Sequence, residues 1–151
     1  MSESGGGYTS PAPTKTKPLK LRREKNMDDA GYHTLWDITG ADTTLLEDAS
    51  ALHEFFLRTL KDSKFTVLNH LTHKFSGGGG GVTGLYLLSE SHLSYHTYPE
   101  RQYISIDVYT CGNENNSINE PISNFFGGCA NVSTSTILRG SSATKSTRSY
   151  K

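Results

Sequence analysis

The stretch Leu87 to Gly112, LLSESHLSYHTYPERQYISIDVYTCG, constrains this chain more than any other. Two runs of strand character hold a knot of acid, hydroxyl and imidazole between them. Gly81-Val82-Thr83-Gly84-Leu85-Tyr86-Leu87-Leu88 comes before, and Gln102-Tyr103-Ile104-Ser105-Ile106-Asp107-Val108-Tyr109-Thr110 comes after. Both are rich in the β-branched, aliphatic and aromatic residues that pack on a pleated surface. The intervening residues include Glu90, Ser91, His92, Ser94 and His96, and Cys111 closes the second run. A sheet protein that places so many reactive groups on one connection is organised around chemistry there.

A strand that runs into a polar turn exposes side chains at its end, which makes Ser91 a candidate nucleophile. A serine hydroxyl is weak at neutral pH and needs a neighbouring base, or strain in the bond it attacks. Either the adjacent His92 or His96, five residues on, is of the right type to be that base. Cys111 joins the group if the second run returns antiparallel beside the first, as a thiol that can serve as an acid. The residues alone give a reactive centre without choosing its reaction.

The run Glu90-Ser91-His92-Leu93-Ser94-Tyr95-His96-Thr97-Tyr98-Pro99-Glu100, followed by Asp107-Val108-Tyr109-Thr110-Cys111-Gly112, resembles the signature of the short prokaryotic S-adenosylmethionine decarboxylase proenzymes. The spacings Ser91 to His96 and Ser91 to Cys111 both match. Weaker similarity extends through Gly31-Tyr32-His33, His73-Lys74-Phe75 and Gly81-Val82-Thr83-Gly84, so that it covers about Ala30 to Leu138. The five glycines Gly77 to Gly81 depart from the family, where a proline-containing turn is common.

The resemblance implies a chain that cleaves itself between Glu90 and Ser91. Ser91 attacks the Glu90 carbonyl, the amide becomes an ester, His96 accepts the serine α-proton, and elimination leaves a covalent pyruvoyl group heading the second fragment. That group forms an imine with the substrate's α-amine and accepts electrons as carbon dioxide leaves, the part pyridoxal phosphate plays elsewhere. Cys111 is then the proton donor to the α-carbon. Thr83 stands where the family usually has serine and supports processing. Glu100 sits by the amine or ribose end of S-adenosylmethionine, while Phe75 and Tyr98 are the aromatic candidates for packing on adenine. The product is the aminopropyl donor for spermidine. Relatives form homodimers with sites shared between protomers. Two other readings stay open: a pyruvoyl enzyme acting on ornithine or arginine, and an unprocessed homologue that binds a nucleoside without turnover.

Each residue also has a plainer reading. A lone serine in a polar turn is usually a cap, Cys111 alone is a small apolar residue, Phe75 and Tyr98 are as readily structural, and His33 is more often structural. His92 is read as supporting the turn, because only His96 matches the processing role. Glu90, His92, His96 and Cys111 together fit no standard zinc spacing, so no metal is expected.

At 151 residues the chain predicts one domain. Lys and Arg number 15 against 15 Asp and Glu, a net charge of zero that argues against nucleic acid as a partner. Two cysteines, Cys111 and Cys129, and no long apolar run predict a cytoplasmic protein with no membrane segment and no disulfide. Residues 1–28, with three early glycines, three prolines and a basic cluster from Lys15 to Lys25, read as a disordered basic tail. Residues 29–139 read as the domain and 140–151 as a flexible tail.

Within the domain, Gly31 to Ile38 predicts a strand, Thr44 to Asp62 a helix with one apolar face from which His53 and Arg58 turn outward, and Lys64 to Thr72 a second strand. The glycine run predicts a mobile loop at the substrate mouth. Ser117 is the expected cap of a short helix through Phe126, and Ala130 to Leu138 the last strand. The expected fold is α+β, a two-layer sandwich in split β-α-β-β-α-β order, with an antiparallel sheet and helices on one face. Gly81 to Leu88 is apolar on both faces, which predicts a second copy covering the bare side of the sheet as a homodimer.

Overall fold

The computed structural model describes residues 29–63, 65–77, 79–111, 117–128 and 130–141. The expectations for the basic arm, the terminal tail beyond residue 141, Gly78, Gly112 and Cys129 lie outside the described residues. The chain runs β1 (Gly31–Thr39), α1 (Thr43–Glu47), α2 (Ala49–Asp62), β2 (Val67–Lys74), β3 (Val82–Leu88), β4 (Ser91–Tyr98), β5 (Tyr103–Cys111), α3 (Asn119–Phe126) and β6 (Asn131–Arg139). A single 3-10 turn, Pro99–Arg101, joins β4 to β5. The six strands form one sheet in the order β2-β3-β4-β5-β1-β6. Every neighbouring pair is antiparallel.

Strand alternation sorts side chains onto two faces. One face carries Trp36, Ile38, Val82, Tyr86, Leu88, Leu93, Tyr95, Ile104, Ile106 and Val108, all buried against the helical residues Leu46, Leu52, Phe55, Phe56, Leu60, Ile122 and Phe126. Aromatic rings fill the middle of this layer, with Phe56 stacked on Tyr95 at 4.4 Å and Phe55 on Phe125 at 3.7 Å. The expected α+β sandwich with helices on one face is the observed fold. Gly84 is required in it, because a Cβ there would lie 2.1 Å from the Tyr95 ring.

Three elements differ from the sequence reading. The run from Ser91 to Tyr98, read as a polar connection, is itself a strand: Leu93, Tyr95 and Thr97 point into the core while the polar residues alternate onto the other face. Four consecutive strands therefore stand between the helices, where the β-α-β-β-α-β order allows two. The helix expected over Thr44 to Asp62 is broken at Asp48, whose carboxylate accepts from the amides of Ser50 (3.1 Å) and Ala51 (2.9 Å) and starts a new helix. Asp42 caps α1 in the same way through Leu45 N–H at 2.9 Å. Ile118 rather than Ser117 occupies the cap position of α3, with no side-chain cap bond. His53 also turns inward, its Nδ1 2.9 Å from the Tyr86 hydroxyl and its ring 4.5 Å from that of His70.

The opposite face of the sheet carries no helix. On it lie Leu71, Leu85 and Leu87, exposed by 66, 46 and 54%. The strand Val82–Leu88 is thus apolar on both faces, as the sequence predicts.

Candidate active site

The helix-free face holds two clusters of functional side chains, one at each end of β4. The first surrounds the turn from β3 into β4. Leu88 pairs with Ser91, so Ser89 and Glu90 form the two-residue link of a tight hairpin. Ser91 has φ of 137°, a conformation that residues with a Cβ rarely adopt. The carbonyl oxygen of Glu90 accepts from the amide of Cys111 at 2.9 Å. Pairing of Ser91 with Thr110 sets Cys111, exposed and with a free thiol, beside that same peptide bond. The Glu90 carboxylate is held by the Thr66 amide at 3.2 Å. Burial pushes its pKa up, but hydrogen bonds from Ser89, its own amide and Thr66 outweigh this and leave it below the usual value.

A chain of contacts leads away from Ser91. Its Oγ lies 3.2 Å from His92 Nδ1, and His92 Nε2 lies 3.4 Å from Asp107 Oδ2. His33 Nε2 reaches the same Asp107 oxygen at 3.0 Å, and Ser94 donates to Asp107 Oδ1. Tyr109 flanks both imidazoles, with ring centroids at 5.8 Å from His33 and 6.0 Å from His92. His33, His92 and Asp107 offer ligand atoms within 4.8 Å of one another, the spacing a metal ion would need. Arg139 argues for a hydrogen-bonded array instead. Its guanidinium lies 3.3 Å from His33 Nδ1, and because guanidinium only donates, that nitrogen accepts. The His33 proton then sits on Nε2, facing Asp107, with no lone pair there for a metal.

The second cluster lies at the far end of β4. Thr83 Oγ1 is 2.5 Å from His96 Nδ1, a cross-strand pair of β3 and β4. Phe75 and Tyr98 meet the His96 ring edge to face at 5.7 and 4.5 Å, and both are exposed. Tyr98 stacks on Tyr103 at 5.5 Å. Glu100 lies against the glycine loop, where a Cβ on Gly79 would be 2.9 Å from its carboxylate. Gly79 and Gly80 both have positive φ, so this turn needs the freedom glycine gives.

The structure thus brings Glu90, Ser91 and Cys111 together, and separately brings together Thr83, His96, Phe75 and Tyr98, with Glu100 beside them. It does not bring His96 to Ser91 within one chain. Five residues of strand separate them by about 16 Å. The sequence reading gave His92 a supporting part and singled out neither Asp107 nor Tyr109. Only the pairing of β4 with β5 reveals them, since Ser94 stands opposite Asp107 and His92 opposite Tyr109.

A family model described as S-adenosylmethionine decarboxylase matches residues 32–140. The chain belongs to this family. Among curated relatives, the S-adenosylmethionine decarboxylase proenzyme of Pyrococcus horikoshii is 40% identical over 86 residues, which are 57% of this chain and 60% of the relative. The proenzyme of Prochlorococcus marinus is 42% identical over 84 residues, 56% of this chain and 66% of the relative. The matched region thus spans somewhat less than two thirds of these relatives' length. The crystal structure of an adenosylmethionine decarboxylase from Aquifex aeolicus has the same fold, with a TM-score of 0.67 and 27% identity, covering 75% of this chain and 92% of that one. Among the described residues no helix is long and apolar enough to cross a membrane.

Proposed function

We propose that this protein is a self-processing decarboxylase of S-adenosylmethionine, made active by scission between Glu90 and Ser91. The observation that carries the reading is the state of that one peptide bond. Its carbonyl is polarised by the Cys111 amide at 2.9 Å, and the serine that follows is held at φ 137°. An amide donor aimed at a carbonyl oxygen stabilises the negative charge that gathers there during attack. A strained residue at the bond to be broken raises the starting state relative to the open product.

These surroundings fit a pyruvoyl group derived from Ser91: the serine heads a strand, and a free, exposed thiol is adjacent. Such a group supplies a carbonyl that captures the substrate's amine and takes up the electrons released with carbon dioxide. In this reading the Cys111 thiol returns a proton to the substrate's α-carbon. Phe75 and Tyr98, exposed and set on either side of His96, present aromatic faces to an adenine, and Glu100 offers a carboxylate beside them for the amine or ribose.

His96 takes the α-proton of Ser91 during processing, and the distance within one chain means it does so across a pair of chains. An isologous dimer that stacks the two helix-free faces sets the Thr83–His96 end of one copy against the Ser91–Cys111 end of the other, giving two complete sites. The exposed Leu71, Leu85 and Leu87 supply the apolar surface for that contact.

Intact mass spectrometry of the purified protein tests the processing step. Two fragments are expected, one ending at Glu90 and one starting at residue 91 with a blocked amino terminus. Release of carbon dioxide from carboxyl-labelled S-adenosylmethionine, with ornithine and arginine run in parallel, tests the substrate. A chain that stays whole through long incubation, or a processed chain that leaves S-adenosylmethionine untouched, overturns the reading.

A further inference from the structure

We propose that His92, held by Asp107, is the base that removes the Ser91 hydroxyl proton in the first step of self-cleavage, a step distinct from the later α-proton transfer to His96. This inference rests on the proposed scission between Glu90 and Ser91 and names the group that starts it.

The geometry is that of a hydroxyl, an imidazole and a carboxylate in series. Ser91 Oγ lies 3.2 Å from Nδ1 of His92, and the other ring nitrogen lies 3.4 Å from Asp107 Oδ2. A carboxylate at Nε2 keeps the proton on that nitrogen and leaves Nδ1 with the lone pair, facing the serine. Asp107 is itself fixed. Ser94 donates to one of its oxygens and His33 to the other, and Arg139 holds His33 in the tautomer that donates. The groups facing His92 are therefore Asp107 and Tyr109 on β5 and His33 on β1, with Arg139 on β6 reaching both His33 and, at 5.2 Å, the ring of Tyr109. Asp107 is the one carboxylate among them.

The step balances without any other reactant. As Ser91 Oγ bonds to the Glu90 carbonyl carbon, its proton passes to His92 Nδ1, and the charge on the carbonyl oxygen is met by the Cys111 amide. When the tetrahedral intermediate collapses, the carbon–nitrogen bond breaks and the same proton goes from His92 to the nitrogen of Ser91. An ester and a free amine result, and the imidazole is regenerated. Asp107 and His33 act through His92 and are positioning residues.

The test is the rate of chain scission in freshly refolded full-length protein, followed by mass spectrometry across a range of pH. His92→Ala is expected to slow ester formation by about 10²-fold or more, and added imidazole is expected to restore part of the rate. His92→Ala is also expected to remove the limb of the pH profile that an imidazole base produces, whereas Asp107→Asn, which keeps the imidazole, is expected to slow scission and leave a limb in place. If the native chain cleaves and His92→Ala cleaves at the native rate with the native pH profile, the inference is wrong while the proenzyme reading survives. If His92→Ala does not refold, His92→Gln, which keeps a polar side chain without a titrating base, decides the matter: native-rate cleavage by it overturns the inference. A native chain that never cleaves removes both.

Discussion

Ser91 is set apart from its strand neighbours by its backbone before its chemistry is considered. Apart from glycine, only Ser91 and Gln102 have positive φ among the described residues, and Gln102 sits in the ordinary left-handed turn region at 50°. A Cβ at φ 137° costs on the order of 1–3 kcal/mol. Replacing the serine in two ways separates that cost from reactivity. Ser91→Ala and Ser91→Gly should both leave the chain whole, since neither carries a nucleophile, and the glycine variant should be the more stable in urea by about 1–3 kcal/mol. Equal stability would show that the conformation carries no strain. Cys111→Ala separates the two activities: its backbone amide remains to polarise Glu90, so scission should persist, while carbon dioxide release should fall by about 10²-fold. At this scale much was legible from sequence. The spacing of Ser91 and Cys111 is what sets them side by side, through antiparallel pairing. The place of His92 was not legible, because a histidine adjacent to a serine gives no sign of the carboxylate waiting on the next strand.

At the scale of elements, β4 shows why the sequence reading fell short. Its core-facing residues Leu93, Tyr95 and Thr97 alternate with His92, Ser94, His96 and Tyr98, a period of two that marks a half-buried strand. A concentration of reactive groups has the composition of a loop, yet a strand presents such groups in fixed register and a loop does not. The break between α1 and α2 has the opposite lesson, for apolar spacing ran on through Asp48 while its carboxylate competed for the backbone. Asp48→Ala should therefore lower stability by about 1 kcal/mol in denaturant titration. Gly84→Ala, which forces a methyl into the Tyr95 ring, should cost about 1–3 kcal/mol by the same measurement. The junction of α2 with β2 and β3 is sensitive to acid. Burial, and then repulsion from His70, lower the His53 pKa below its ordinary 6.5. Folding thus favours the neutral ring, and the stability this gives is present above pH 6.5 and lost as pH falls through the lower folded value. The thermal midpoint should drop on acidification in that window, and His53→Gln should flatten the drop.

For the whole molecule, the proposed dimer puts the weight on the bare face of the sheet. Leu85→Glu places a charge among Leu71, Leu85 and Leu87. Sedimentation should then show a shift toward monomer, accompanied by slower scission. A stronger check mixes two defective chains by co-expression. Ser91→Ala alone and His96→Ala alone should remain largely uncut, whereas together they should yield fragments from the His96→Ala copy, because its intact serine meets the intact histidine opposite. Failure to complement while forming mixed dimers would place the whole site in one chain.

The proposed scission between Glu90 and Ser91 would leave two polypeptides sharing one sheet. Residues before the scission supply β1, β2 and β3, and those after it supply β4, β5 and β6, yet in space β1 is wedged between β5 and β6. The two polypeptides would be woven through one another along three seams, β3 with β4, β5 with β1, and β1 with β6. A severed backbone therefore yields no loose piece: the halves should travel together through native chromatography and part only in denaturant.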